Sequence, residues 1–115
     1  MTDIRIIKKP IHKDLANGRW FTFSFEEQMG HIGSEVCRAS KWKNKDPKIF
    51  QGAVARALEL FDLTMSDKRW NGRLKEIGRA RDVFCDAVLG GKEYGSNFQN
   101  IQKYFDYFGI LAMKV

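Results

Sequence analysis

The chain lacks the features that mark several specialised classes of protein. Its 115 residues include only two cysteines and two prolines, and no apolar run exceeds a few residues. A helix needs about 20 apolar residues to cross a bilayer, so we expect no membrane-spanning segment. Residues 1–10 have no apolar stretch of the length that a signal peptide requires. We therefore predict a cytoplasmic protein.

Catalytic and metal-binding motifs are also missing. Cys37 and Cys85 have no companion histidines at a zinc-finger interval, and free cysteines usually behave as small apolar residues. We expect two reduced, buried thiols and no metal site. The sequence has no phosphate-binding glycine loop, dinucleotide fingerprint or Ser-His-Asp order. The leading interpretation is a protein without enzymatic activity, catalytic residues or cofactor.

Helical periodicity dominates from residue 24 onward. Apolar residues recur at helical spacing over about residues 24–43, 46–65, 71–89 and 97–112. Because the connections are short, the predicted fold is all-α: an antiparallel, up-down-up-down four-helix bundle over residues 24–115. Start and stop signals mark the helix ends: Ser24 with Glu27, Asp46 with Pro47, Asp67 or Asn71, Gly90 with Gly91, and Ser96 with Gln99.

Residues 1–23, which we call the N-terminal arm, do not have this periodicity. Pro10 interrupts them, Asn17-Gly18 is a turn signal, and Phe21 and Phe23 alternate as in a strand. We predict an extended arm or a short hairpin.

The net charge of +6 is concentrated in two segments. The arm carries +3 and residues 38–48, which we call the basic link, carry +4, whereas the rest of the chain sums to −1. Such asymmetry is typical of proteins that bind polyanions. We expect the arm and the basic link to form one positive end of the bundle.

The basic link, "RASKWKNKDPK", places five cations around Trp42. Cations neutralise phosphates and an exposed indole stacks on a base, so we predict that nucleic acid or a nucleoprotein is the partner. The alternative is a solvated loop with Trp42 folded back on the bundle. The candidate binding residues are Lys8, Lys9, Lys13, Arg38, Lys41, Trp42, Lys43, Lys45 and Lys48.

The third helix combines a solvated face with one inward arginine. A helical wheel places Lys75, Arg79, Asp82 and Asp86 on the outer side, where ion pairs such as Arg79–Asp82 are expected, and it also turns Glu59 of the second helix outward.

Arg81 instead projects into the apolar stripe, where a guanidinium needs a carboxylate, an anionic ligand or a route to water. Glu35 and Asp62 are its expected partners in an interior ion pair. The rival hypothesis makes these three residues the site of a small metal-dependent nucleotide hydrolase.

Aromatic residues widen the apolar arc of the fourth helix beyond what one buried seam needs. This excess indicates burial against a second copy, or under the arm. We predict a homo-oligomer with an interface at Tyr104, Tyr107, Phe108 and Leu111. A protein-only adaptor is a further alternative.

Four segments carry a resemblance: "GSEVCRASKWK", "RALELFDLT", "GRLKEIGRARDVFCD" and "EYGSNFQNIQKYFD". Over roughly residues 20–110 the chain resembles a set of small prokaryotic hypothetical proteins that share these segments in this order. Its size, charge and helical plan are also similar to the four-helix-bundle proteins of ribosomal intervening sequences and to the accessory bundles of diversity-generating retroelements. The latter likeness implies ring assembly and nucleic-acid binding.

Overall fold

The computed structural model describes residues 18–93, 95 and 97–113, with side chains as far as Leu111. Among these residues the chain is all-α, as expected, and contains no strand. The α-helices are α1 (Phe25–Trp42), α2 (Pro47–Ser66), α3 (Leu74–Val88) and α4 (Phe98–Met113). Short 3-10 segments at Arg19–Thr22 and Lys68–Arg73 precede α1 and α3.

Local capping positions the first two helices. The N–H of Glu27 donates to Ser24 Oγ at 3.1 Å, and the N–H of Ser24 donates to Glu27 Oε1 at 2.9 Å. Both bonds of the expected capping box are therefore present, and the Ser24 backbone bond in particular lowers the pKa of Glu27. Asp46 Oδ1 accepts from the N–H groups of Lys48 and Ile49, so α2 begins at Pro47.

The connection from α3 to α4 also follows local rules. Gly90 and Gly91 have φ values of 107° and 76°, which residues other than glycine rarely adopt. The N–H of Gly91 donates to the carbonyl of Asp86 at 2.7 Å and ends α3. Asn97 Oδ1 accepts from the N–H of Asn100 before α4. The expected capping box at Ser96 lies outside the described residues.

One aromatic cluster forms the centre of the core. Phe61 of α2 lies 6.0 Å from Phe84 of α3 and 5.9 Å from Phe105 of α4, between ring centroids, and all three rings are buried. Two glycines of α1 lie against α4. A Cβ built on Gly33 would lie 2.7 Å from Phe105 Cβ, and one built on Gly30 would lie 3.6 Å from Gly109 Cα.

The third helix begins later than residue 71, where the sequence predicts it. Residues Lys68–Arg73 form a 3-10 segment that Asp67 caps by accepting from the N–H of Arg69. Trp70 has the non-helical angles φ −103° and ψ 19°, and its indole Nε1 donates to Gln28 Oε1 at 2.9 Å. This long-range bond accompanies the delayed start of α3 at Leu74.

The expectation of an extended arm is wrong where the structure describes it. Arg19–Thr22 form a 3-10 turn because the Trp20 side chain is completely buried, which folds the chain onto the helices. Residues 1–17, including Lys8, Lys9 and Lys13, lie outside the described residues.

Candidate nucleic-acid interface

The basic link joins the end of α1 to the start of α2 through a tight turn. The carbonyl of Trp42 accepts from the N–H groups of Lys45 and Asp46, both at 3.1 Å, and this closes the connection within four residues. The turn crowds cations from both helix ends and from the connection itself into one region.

All five cations of the basic link are exposed: Arg38, Lys41, Lys43, Lys45 and Lys48. None of them forms an ion pair with any residue that the structure describes. The one acid in the segment, Asp46, is engaged in capping α2 through Oδ1. The positive charge of the link is therefore not neutralised locally.

Ring contacts orient two of these lysines. Lys41 Nζ lies 5.9 Å from the Trp42 ring centroid, and Lys43 Nζ lies 5.2 Å from the ring centroid of Phe98, the first residue of α4. The N-termini of α2 and α4 therefore lie near the link together with the C-terminus of α1, whose dipole offsets part of their positive potential. Trp42 is half-buried, so its indole is not fully available for stacking.

The described part of the N-terminal arm, residues 18–23, is called the root of the arm here. It lies at the opposite end of α1, where it is bonded to a buried polar cluster. Trp20 Nε1 donates to Thr64 Oγ1 at 3.0 Å. Gln28 Nε2 donates to the carbonyl of Trp20 and to Asp67 Oδ2, both at 3.0 Å. We call this cluster the Trp20 network, and its members are Trp20, Gln28, Thr64, Asp67, Arg69 and Trp70.

Arg69 closes the Trp20 network from the solvent side. Its Nη2 lies 2.7 Å from Asp67 Oδ2 and donates to the carbonyl of Phe23 at 2.7 Å. The hydrogen bond from Arg69 outweighs burial and lowers the pKa of Asp67, and the same bond raises the pKa of Arg69.

The expectation of a single positive end formed by arm and link is not met at the arm's root. Residues Gly18 and Arg19 precede the buried Trp20, at the end of α1 that begins with Phe25. The basic link begins in the last turns of α1 and runs into α2, and an 18-residue helix is about 27 Å long. The structure therefore brings the five link cations together without the root of the arm.

Arg81 forms an ion pair with one of its two candidate partners, but the pair lies at the surface and not in the interior as expected. Arg81 Nε lies 3.3 Å from Asp62 Oδ1, with Arg81 14% and Asp62 45% exposed. Glu35 bonds to neither residue, and its Oε2 is buried without a partner, as is Arg81 Nη2. Within the described part of the chain, no three acidic, histidine or cysteine residues come together as a metal site.

Several polar side chains lie differently from their helical-wheel positions. Glu59 and Asp86 were expected to face outward, but they are only 8% and 7% exposed. Asp86 Oδ1 accepts from the N–H of Glu93 at 2.9 Å, so this carboxylate is turned toward the loop after α3. Arg79 and Asp82 are exposed but form no ion pair with the described residues.

The prediction that both cysteine thiols are buried is wrong for Cys37 and only partly met by Cys85. Cys37 is exposed and Cys85 is half-buried, and neither is in a disulfide. Burial raises the pKa of the Cys85 thiol. The sequence placed both at the edge of a stripe, where small changes in helix rotation decide exposure.

The exposed apolar surface of α4 differs from the expected one at two residues: Phe108 is buried and Ile110 is exposed. Tyr107 is 60% and Tyr104 37% exposed, whereas Phe108 is only 5% exposed and packs edge-on against Phe25. Phe108 therefore belongs to the core and not to a surface interface. Leu111 is half-buried, and Ile110, which the sequence analysis did not single out, is 55% exposed.

The chain matches no protein-family model, no curated protein and no solved structure. Its function must therefore be argued from its own residues. Among the described helices, none has the combined length and hydropathy that crossing a membrane requires.

Sequence reasoning missed the Trp20 network. Its detectable signal was Gln28, a polar residue on the apolar stripe that includes Phe25, Met29 and Ile32. The partners of Gln28 lie about 40 residues further along the chain, so the pattern of α1 alone does not reveal them.

Proposed function

We propose that this protein is a non-enzymatic, oligomeric helical bundle that binds nucleic acid, or a nucleoprotein, through its basic link. The observation that carries the proposal is the group of five exposed cations that have no acidic partner among the described residues. The phosphate backbone of a nucleic acid is a polyanion that such a surface fits. Contacts to phosphates position that backbone on the protein without reading the base sequence. We therefore expect weak sequence preference and strong dependence on salt.

The bundle in this proposal is antiparallel, with the helices alternating up and down. Its support is the reversed order of contacts between neighbouring helices. Gly30 faces Gly109 while the later Gly33 faces the earlier Phe105. Likewise, Asp62 contacts Arg81 while the later Met65 approaches Gly78. This arrangement places the basic link at one end, with the first residues of α4 beside it.

The oligomer in this proposal forms through the exposed part of α4. Tyr107 and Ile110 are each more than half exposed, and aromatic and aliphatic surface of this kind is enriched at the centre of interfaces. Light scattering of the wild type and of Tyr107→Gln tests this part: the substitution should lower the average mass of the assembly. A wild type that is monomeric at high concentration contradicts it.

Fluorescence anisotropy with labelled single-stranded RNA and DNA tests the binding surface. Each lysine that contacts a phosphate adds about 0.7–0.9 to the slope of log K against log salt. The triple variant Lys41→Gln, Lys43→Gln, Lys45→Gln should therefore bind more weakly and lower that slope by about 2–3. We expect the same result with the RNA and with the DNA, because the contacts are to phosphates.

A matched control removes the same charge elsewhere. The variant Lys68→Gln, Lys75→Gln, Lys103→Gln loses three exposed lysines outside the link. It should retain most of the wild-type affinity. Equal losses in both triple variants would mean that net charge matters and the link does not. No binding by the wild type at low salt would end the proposal.

The arm is tested separately. If Lys8, Lys9 and Lys13 extend the same surface, Lys8→Gln, Lys9→Gln, Lys13→Gln should weaken binding further when combined with the link variant. If the combined variant binds with the same affinity as the link variant alone, the arm takes no part in binding.

A further inference from the structure

A groove separates α3 from α4 along their middle turns. It encloses about 440 Å³, and its apolar lining comprises Ile101 and Phe105 of α4 with Ala80 and Val83 of α3. This volume lies within the range of about 300–1,000 Å³ that is typical of small-molecule sites. The groove is not part of the basic link and has no role in the proposed function.

The polar side chains at the groove differ in whether their charge is already compensated. Glu76 is paired, because Arg73 Nη2 lies 3.1 Å from its Oε2 and the Tyr104 hydroxyl donates to its Oε1 at 3.3 Å. Arg79 lines the same groove, is exposed, and has no ion pair with the described residues. The groove thus offers an apolar floor and one uncompensated positive charge.

One further contact holds the paired side of the groove in place. The Arg73 guanidinium lies 3.7 Å from the ring centroid of Phe25, which fixes it between an aromatic face and Glu76. Burial, together with the charge and hydrogen bond of Glu76, raises the pKa of Tyr104 to about 12. The hydroxyl is protonated at neutral pH, as an ordinary tyrosine is, and the raised pKa extends its role as donor to Glu76 into the alkaline range.

We propose that this groove binds a small molecule with an apolar, ring-sized body and a single carboxylate or sulfonate group that pairs with Arg79. The apolar lining supplies most of the contact, and charge complementarity selects an anion. A neutral ligand of the same shape leaves Arg79 without a partner, and a second negative charge on the ligand would face Glu76.

Anilinonaphthalene sulfonate is a suitable probe, because it combines two aromatic rings with one sulfonate and fluoresces when it leaves water. The wild type should give a saturable fluorescence increase, and the Arg79→Gln variant should bind the probe about five-fold more weakly, the scale of one exposed ion pair. Lys103→Gln removes an exposed cation of α4 that does not line the groove, and it should bind as the wild type does.

Competition separates the anionic group from the apolar body. Naphthoate should displace the probe from the wild type more effectively than naphthalenemethanol, which has the same rings and no charge. This preference should disappear in Arg79→Gln. Equal displacement by both compounds, or no saturable binding by the wild type, would overturn the proposal.

Filling the groove tests its location. Val83→Trp places a larger side chain among the lining residues and should abolish probe binding, and Ala80→Leu is the smaller replacement if the first variant unfolds. Near-ultraviolet circular dichroism confirms that the variant is folded, since a loosened core also binds the probe. Ile110→Gln alters the exposed apolar surface outside the groove. Loss of binding in Ile110→Gln and retention in the filled variants would place the site elsewhere.

Discussion

The polar side chains at the two ends of α1 differ in burial and in hydrogen bonding. In the Trp20 network at its start, Gln28 and Thr64 are completely buried and each is hydrogen-bonded. In the basic link at its C-terminal end, five cations are exposed and have no acidic partner among the described residues. Buried polar groups destabilise a fold unless they are bonded, whereas exposed ones can remain free to meet a ligand.

This contrast indicates that residues at one end of α1 stabilise the fold and residues at its other end are available for binding. The Trp20 network fixes the chain that enters α1 and ties it to the residues after α2, so its members should matter for folding. The five cations of the basic link are exposed, so they should matter for binding. The following predictions test this division, beginning with the largest expected loss of stability and ending with the smallest.

The two tryptophans should differ most. Trp20→Ala removes a completely buried indole that also bonds to Thr64, and should lower the free energy of unfolding by about 3–5 kcal/mol. Trp42→Ala removes a half-buried side chain and should cost no more than about 1–2 kcal/mol. Urea unfolding followed by far-ultraviolet circular dichroism measures both, and equal losses would contradict the division.

A double-mutant cycle isolates the hydrogen bond from the burial of the ring. Trp20→Phe removes the indole N–H and Thr64→Val removes its acceptor. We expect a coupling energy of about 1 kcal/mol between the two substitutions. Additive losses would mean that the bond itself contributes nothing.

The contact between the middle of α1 and α4 should be the next place where substitutions lower the free energy of unfolding. Alanine at Gly33 would put its Cβ 2.7 Å from Phe105 Cβ, so the helices must move apart. We expect Gly33→Ala to cost about 1–3 kcal/mol. In the matched variant Gly78→Ala, the nearest atom is Met65 Cε at 3.9 Å, so better helix propensity should stabilise by up to about 1 kcal/mol. Thermal unfolding distinguishes the opposite signs.

What the sequence predicts well is what a few adjacent residues determine. The capping box at Ser24, the Asp46 cap of α2 and the glycine stop after α3 all require only local bonds. These signals, with helical periodicity, are sufficient for the all-α class and place α1 and α2 within one residue of the expected bounds. The cations of the basic link are predictable for the same reason, because they are neighbours in the chain.

What the sequence does not predict depends on partners distant in the chain. The 3-10 turn at Trp20 forms against Thr64, which lies 44 residues away. Asp86 is a nearer case: its carboxylate accepts from the N–H of Glu93 in the loop after α3, and a helical wheel does not include that loop. The groove depends on the spacing between α3 and α4, and neither helix encodes that spacing alone.

Acid should weaken the Trp20 network through Asp67. The pKa of this carboxyl is lowered in the folded state, so it stabilises the fold above its unfolded pKa of about 3.9, and this contribution is lost as pH falls through the folded value. Urea unfolding at several pH values from about 7 to about 2 should show a smaller acid-induced loss in Asp67→Asn than in the wild type. Asp82→Asn, which changes an exposed carboxylate, is the control, and identical curves for Asp67→Asn and the wild type would contradict this role.

The basic link should have the smallest effect on stability and the largest on binding. Since its cations are exposed and form no ion pairs with the described residues, Lys41→Gln, Lys43→Gln, Lys45→Gln should change the free energy of unfolding by no more than about 0.5 kcal/mol. Removing like charges that lie close together can even stabilise slightly, and this gain should shrink at high salt because screening already weakens the repulsion. Urea unfolding at low and high salt measures both effects. A loss well above this range would contradict the division and would mean that the aliphatic parts of these lysines pack against Trp42 and Phe98.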